Sequence, residues 1–446
     1  MISGEHRVDL AVPLDDTLGD VLRGIGYTID PSRHVVLERG GVEAKLTTRG
    51  SDLVDGAMYS IIDLRSKLTA GGASGRSGTA RDRGALWFLL AMVAVIAVGV
   101  RLLGAGASVE DDPLQRVIGG VVLVIAAVVS ALVWSRQHPA DLSIDALSML
   151  SPVALAFAAG FALIPLSLEQ GEHLAVLSGL LASAVLSALL TATIGGNRLR
   201  SSAGTGTIIL LVLGAIWGIT LLTGMGIAAA AAISAGAVPL ALRAIPASLV
   251  NIEDGYSINY EMFMSNRWTV RGAIPESPSR ISSAAVGEVV EDSSARLLAG
   301  TVLLSAIGPI MIPIALTGDF RANPLVLGGS IGLLSTLVIA LVLISRHTAS
   351  PPLRWVPRAA AILVVVEAAV GAIVLFGPLA LTVGALGFLV LGLFVAALLV
   401  PIGRGARSLV WSRMADVFEA LVVALSLPAA LLAADVLGVV RGMMAA

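Results

Sequence analysis

Apolar runs long enough to cross a bilayer recur along most of the chain. A hydrocarbon layer of about 30 Å needs about 20 residues at a helical rise of about 1.5 Å. Eleven stretches reach that length, at 85–104, 117–134, 142–164, 173–194, 206–223, 226–242, 297–316, 325–345, 356–376, 379–400 and 416–440. The fifth and sixth meet at Thr223-Gly224-Met225-Gly226, where a single long broken helix is the competing reading and would make the total ten.

Before residue 85 the period changes. Val8, Leu10 and Val12 alternate with polar residues as in a half-buried strand. Asp15-Asp16-Thr17 supplies a helix start, and Leu18, Val21, Leu22 and Ile25 then fall on one helical face that ends at Gly26. His34 to Leu37 and Val42 to Leu46 flank Arg39-Gly40-Gly41 as a hairpin, and Asp55-Gly56 turns into a last strand, Met58 to Leu64. Residues 1–68 thus read as a small soluble unit, and 69–84, rich in Gly, Ser, Ala and Arg, as a flexible tether. Spans one to six fill 85–242, a long polar loop fills 243–296, and spans seven to eleven fill 297–441.

Composition agrees with residence in lipid. Hydrophobic residues make up 56% of the 446, and charged ones 13%, against about 25% in ordinary soluble domains. Mean hydropathy is +0.91, which excludes an ordinary soluble enzyme. There are 48 Gly and 19 Pro without a triplet period, so collagen-like and low-complexity classes drop out. With no Cys, the sequence offers neither disulfides nor thiolate chemistry, and the redox compartment is not legible from it. Met1 to Arg7 carries no apolar run, so a cleavable signal peptide is not expected.

The scarce cations set an orientation. From position 65 onward, Lys and Arg divide 19 to 4 between alternate sides of the eleven spans, and merging the fifth and sixth would spoil that division for every later loop. The rich side includes Arg81, Arg136, Arg198, Arg200, Arg296, Arg346 and Arg358; the poor side holds Arg101, Arg116, Arg321 and Arg441. By the positive-inside rule the N-terminus is cytoplasmic and the C-terminus extracytoplasmic.

A strand, helix, hairpin and final strand, a Gly/Ser/Arg tether, then eleven spans with a long loop after the sixth resemble the EccD family, integral membrane components of type VII (ESX) secretion systems. The local matches are RVDLAVPLDDTLGDVL, the DGAMYSIIDL ending typical of ubiquitin-like folds, and RWTVRGAIPESP in the long loop. The resemblance implies a polytopic α-helical membrane protein of about eleven transmembrane helices with an N-terminal ubiquitin-like β-grasp domain. It implies a non-enzymatic scaffold in the inner membrane, present as a dimer of such chains, with EccB-, EccE- and ATPase EccC-like partners and membrane lipids. No nucleic acid, cofactor or metal is implied. A ubiquitin-like sheet opens with a strand paired to Val8–Val12, for which only Met1 to His6 remain. Either that strand is very short or part of it lies before Met1.

Candidate chemistry is sparse. Glu367 is the one ionisable residue read as deep in a span, about eleven residues into the ninth. Such carboxylates are costly in lipid and face a bundle interior, a partner or a water-filled path, protonated or paired. Burial against a neighbour is the favoured reading. A coupling acid in a secondary transporter is the alternative, although no internal repeat of the transporter kind is visible. Asp145, Asp416, Glu419, Asp435 and Arg101 lie near span ends and read as interfacial. Gly214 with Gly218, and Gly328 with Gly332, read as helix-packing pairs.

Tyr256, Tyr260, Phe263, Trp268 and Arg271 mark the long loop as a partner-docking candidate, since loops of that length are commonly functional. Glu110-Asp111-Asp112 reads as a solvated turn rather than a metal site, and Gly71-Gly72 as tether. No Walker A, H-E-x-x-H or G-x-S-x-G motif occurs, so no catalytic residue is assigned.

Overall fold

The computed structural model describes residues 2–3, 6–7, 16–24, 34–38, 46–49, 59–63, 78–102, 113–135, 142–194, 197–249, 283–318, 323–348, 350–377, 379, 382–387, 389, 392–393 and 409–445. They divide into two units, Met1–Gly84 and Ala85–Ala446.

In the first unit, β1 (Ile2–Ser3), β2 (His6–Arg7), β3 (His34–Glu38) and β4 (Tyr59–Asp63) form one sheet in the order β2-β1-β4-β3. The β1 strand lies antiparallel to β2 and parallel to β4, with Ile2 opposite Ser60. Strands β3 and β4 run antiparallel, His34 opposite Asp63 and Glu38 opposite Tyr59. A parallel pairing of first and last strands needs a crossover, and α1 (Leu18–Gly24) lies in it. The described partner of β1 is His6–Arg7; the expected strand at Val8–Val12 and most of the expected hairpin arm at Val42–Leu46 fall outside the described residues.

The start of α1 is set by Thr17. Its Oγ accepts from the Asp20 amide at 3.3 Å and donates to the Asp20 carboxylate at 2.5 Å, a reciprocal cap. That hydroxyl, helped by the nearby Arg23, holds the Asp20 carboxyl below its usual range. Leu18 and Leu22 are buried, and the amides of Leu18 and Gly19 donate to the Thr48 and Leu46 carbonyls, tying the helix to the 46–49 segment.

The second unit is helical. In order come α2 (Gly78–Leu102), α3 (Pro113–Ser135), α4 (Leu142–Leu163), α5 (Gly171–Thr193), α6 (Asn197–Leu222), α7 (Ile227–Ser248), α8 (Ser283–Ala315), α9 (Pro324–Ile344), α10 (Pro351–Phe376), α11 (Leu409–Ala433) and α12 (Val436–Ala445). Among the described residues, eight of these (α3 and α5 to α11) are long and apolar enough to cross a membrane, and α2 and α4 add shorter apolar stretches. The chain is a polytopic helical membrane protein.

Helix α8 forms its centre, 78% buried over its apolar window and packed against α4, α6, α7 and α10. Helices α3 to α6 pack in sequence order on one side, while α9 and α11 pack together and reach α7 on the other. The outer faces stay apolar, with Val93, Ile125, Ile208 and Val370 all more than half exposed, as suits contact with lipid rather than water.

Several boundaries differ from expectation. Residues 78–84, read as tether, begin α2. The stretch read as the loop 243–296 is shortened at both ends, because α7 continues to Ser248 and α8 starts at Ser283. Its candidate docking residues Tyr256, Tyr260, Phe263, Trp268 and Arg271 lie outside the described residues, as does most of the tenth span at 379–400.

The fifth and sixth spans are separate helices. Gly224 takes the left-handed conformation (φ 71°), and the Met225 amide returns to the Thr220 carbonyl at 2.9 Å, a closure that ends α6. The eleventh span breaks in two, because Asp435 turns left-handed (φ 51°) and its carbonyl accepts from the amides of Gly438 and Val439 to start α12. The Asp435 carboxylate lies so close over Gly438 that a Cβ there would sit 2.5 Å from Oδ2.

Candidate functional site

Three polar features sit within the helical unit. The first is Glu367. Along α10 the residues Pro357, Ala360, Ala361 and Val364 form a buried stripe, and Glu367 continues it one turn further, half-buried. It is therefore turned towards α8 and α9, on which α10 packs, and its Oε2 is shielded from solvent without a hydrogen-bond partner among the described residues. An isolated carboxylate so placed needs a proton or an outside partner.

The second feature escaped the sequence reading. His173 near the start of α5 is 2% exposed, and its Nε2 lies 2.8 Å from the Trp217 carbonyl and 3.1 Å from Thr220 Oγ on α6. A carbonyl only accepts, so Nε2 carries the hydrogen and shares it between the two oxygens. The Thr220 hydroxyl donates onward to the backbone carbonyls of Ile216 and Trp217. The indole of Trp217, fully buried, meets the imidazole edge-on at 5.0 Å between centroids and donates through Nε1 to Ser234 Oγ on α7 at 3.1 Å. Ser234 in turn donates to the Ala230 carbonyl at 2.8 Å. Three helices are thus pinned by one chain of satisfied polar groups. The available sequence signal was Trp217, an indole inside an apolar run, whose N–H needs a partner when buried.

The third feature is a cluster where α9, α10 and α11 meet. Arg346, in the 3-10 turn Ser345–His347, pairs with Asp416 and lies 3.5 Å from Glu419 Oε2 on α11. Arg358 Nε donates to Ser345 Oγ at 3.0 Å and its guanidinium sits 5.5 Å above the Trp355 ring. Glu419, expected at the interface, is buried at 7% exposure. Asp416 is exposed, and Asp435 accepts from Asn323 Nδ2 at 3.4 Å. Glu419 and His173 are thus more deeply buried than Glu367, which is half-buried.

Close helix approach falls at other glycines than the paired ones. Gly218 and Gly328 face open space, while Gly214 and Gly332 leave only ordinary or slightly tight room for a Cβ. The seams lie at Gly236 and Gly329, where a Cβ would collide with Ala430 and with the Leu432–Ala433 backbone of α11, and at Gly160 against Gly179.

Among the described residues this assembly offers polar pins and an ion cluster, and no group of three or more metal-ligating side chains. No family model matches the sequence, and no curated protein matches it either. Solved structures do. A chain of protomer 1 of the ESX-3 core complex aligns over 98% of this chain and 98% of its own length, with 16% identity and a TM-score of 0.50. A chain of the MycP5-free ESX-5 inner membrane complex in State II aligns over 85% and 90%, with 17% identity and a TM-score of 0.47. This chain is thus similar in fold to that chain of the ESX-3 core complex over 98% of its length.

Proposed function

We propose that the protein is an EccD-like, non-enzymatic membrane scaffold of a type VII (ESX) secretion complex. The observation that carries this reading is the likeness to the ESX-3 chain over 98% of both lengths, which takes in the small N-terminal unit as well as the helices. In this reading the N-terminal unit is a ubiquitin-like domain. Its sheet order, with first and last strands parallel at the centre and α1 in the crossover, supports that assignment.

The domain and the 243–296 segment, with Tyr256, Tyr260, Phe263, Trp268 and Arg271, dock cytoplasmic parts of EccB-, EccE- and ATPase EccC-like partners. The chain pairs with a second copy in the bacterial inner membrane, N-terminus cytoplasmic and C-terminus outside, as the 19 to 4 cation split supports. Energy for transport comes from the ATPase subunit. Affinity purification from native membranes in mild detergent tests the reading: an ATPase and further membrane subunits co-purify, whereas recovery of the lone chain contradicts it. Secondary transport with Glu367 as coupling acid is the second reading, favoured only by its unpartnered Oε2. Solute flux in vesicles holding the purified chain, abolished by Glu367→Gln, would establish it.

A further inference from the structure

A groove of about 780 Å³ runs between α6, α7 and α8. Its length is apolar, lined by Ile208, Val212, Ile216, Val238 and Ala241, and it opens sideways, since Ile208 and Val212 are more than half exposed. From Arg200 to Ile216 the wall is sixteen residues of helix, about 24 Å, more than the hydrocarbon depth of one leaflet. One end is charged. Arg200 near the start of α6 and Arg296 on α8 both line it, with Asp292 one turn before Arg296. Among the described residues neither arginine makes an ion pair, and Asp292 Oδ1 is shielded without a hydrogen-bond partner.

We infer that this groove is a binding site for one anionic glycerophospholipid with a single phosphodiester, its phosphate held by Arg200 and Arg296 and an acyl chain laid along the α6–α7 wall. The shape fits a tail, because a long apolar channel open to the bilayer side admits a chain from the surrounding leaflet. The charge fits the head. Two guanidiniums and one carboxylate leave the mouth at +1, and one phosphodiester at −1 brings it to zero. Guanidinium is the side chain best suited to phosphate, offering paired donors in one plane. Basic pockets between transmembrane helices are recurrent sites for anionic headgroups. The free Asp292 oxygen accepts from a headgroup hydroxyl, so a glycerol headgroup is preferred over choline, which has no donor. The proposal concerns this chain alone and does not depend on its membership of a secretion complex.

Native mass spectrometry of the full chain tests it, released from micelles carrying equimolar phosphatidylglycerol and phosphatidylcholine of identical acyl composition. The expected result is retention of phosphatidylglycerol at least fivefold over phosphatidylcholine. The ratio falls to near one in the Arg200→Gln/Arg296→Gln variant, while Ala241→Phe, which fills the channel, lowers retention of both lipids. Should the double variant fail to give a monodisperse helical species, the exposed Arg200→Gln alone is read, with at least a halving of the ratio expected. Equal retention of the two lipids by the unaltered chain, or an unchanged ratio in the folded arginine variants, overturns the proposal.

Discussion

His173 and Trp217 show how a polar residue is kept inside an apolar bundle. Each donor meets an acceptor, so the cost of burial is offset by bonds rather than avoided. Trp217→Phe keeps the ring but loses the bond to Ser234, and is expected to lower stability by about 1–2 kcal/mol, visible as a reduced melting temperature in detergent. Trp217→Ala opens a cavity at a fully buried site and should cost about 3–5 kcal/mol. If both variants melt with the unaltered protein, the network holds nothing. Glu367 behaves in the opposite sense, because Gln keeps its shape while removing a carboxyl whose Oε2 has no partner among the described residues. Glu367→Gln is expected to leave melting unchanged or raised and secretion intact; lost secretion with normal assembly would assign the carboxyl an active role. Arg346→Ala removes the guanidinium beside the buried Glu419 and is expected to lower the melting temperature in detergent.

At the scale of elements, hydropathy located most helices because a span must be apolar over its length whatever it packs against. Helix ends were less legible. Helix α8 starts fourteen residues before residue 297, and its first turns carry Glu288, Glu291 and Asp292, residues that a hydropathy window discards but a helix tolerates. The break at Asp435 was hidden because a left-handed Asp leaves no mark in an apolar pattern, whereas Gly224, with Gly226 two residues on, was visible between two apolar runs.

Close packing was legible in kind but not in place. A G-x-x-x-G spacing defines a small stripe, and only the partner helix decides which glycine meets backbone; here it is Gly329, not its neighbour Gly328. Gly329→Val is expected to force α9 from α11 and cost about 1–3 kcal/mol or more, while Gly328→Val is close to neutral on packing. Equal melting of the two variants would contradict this seam. The ion cluster was legible only in part, since Arg346, Asp416 and Glu419 lie some 70 residues apart in sequence and their meeting depends on the pairing of α9 with α11.

At the scale of the whole molecule, polar pins and glycine seams hold the described helices together around α8, and their outer faces are apolar. Apolar outer faces suit a body held in lipid. Deleting residues 251–276 should then release a cytoplasmic partner while the helical body stays folded, read by co-purification and by melting of the remainder; intact co-purification would remove the docking role of Tyr256, Tyr260, Phe263, Trp268 and Arg271.

Membership of the proposed secretion assembly is read from the particle mass of the protein extracted gently from its own membranes. Cryo-electron microscopy or native mass measurement is expected to find a megadalton complex containing this chain, a second copy and an ATPase. A lone monomer, above all one that moves a small solute across vesicles, would exclude that membership.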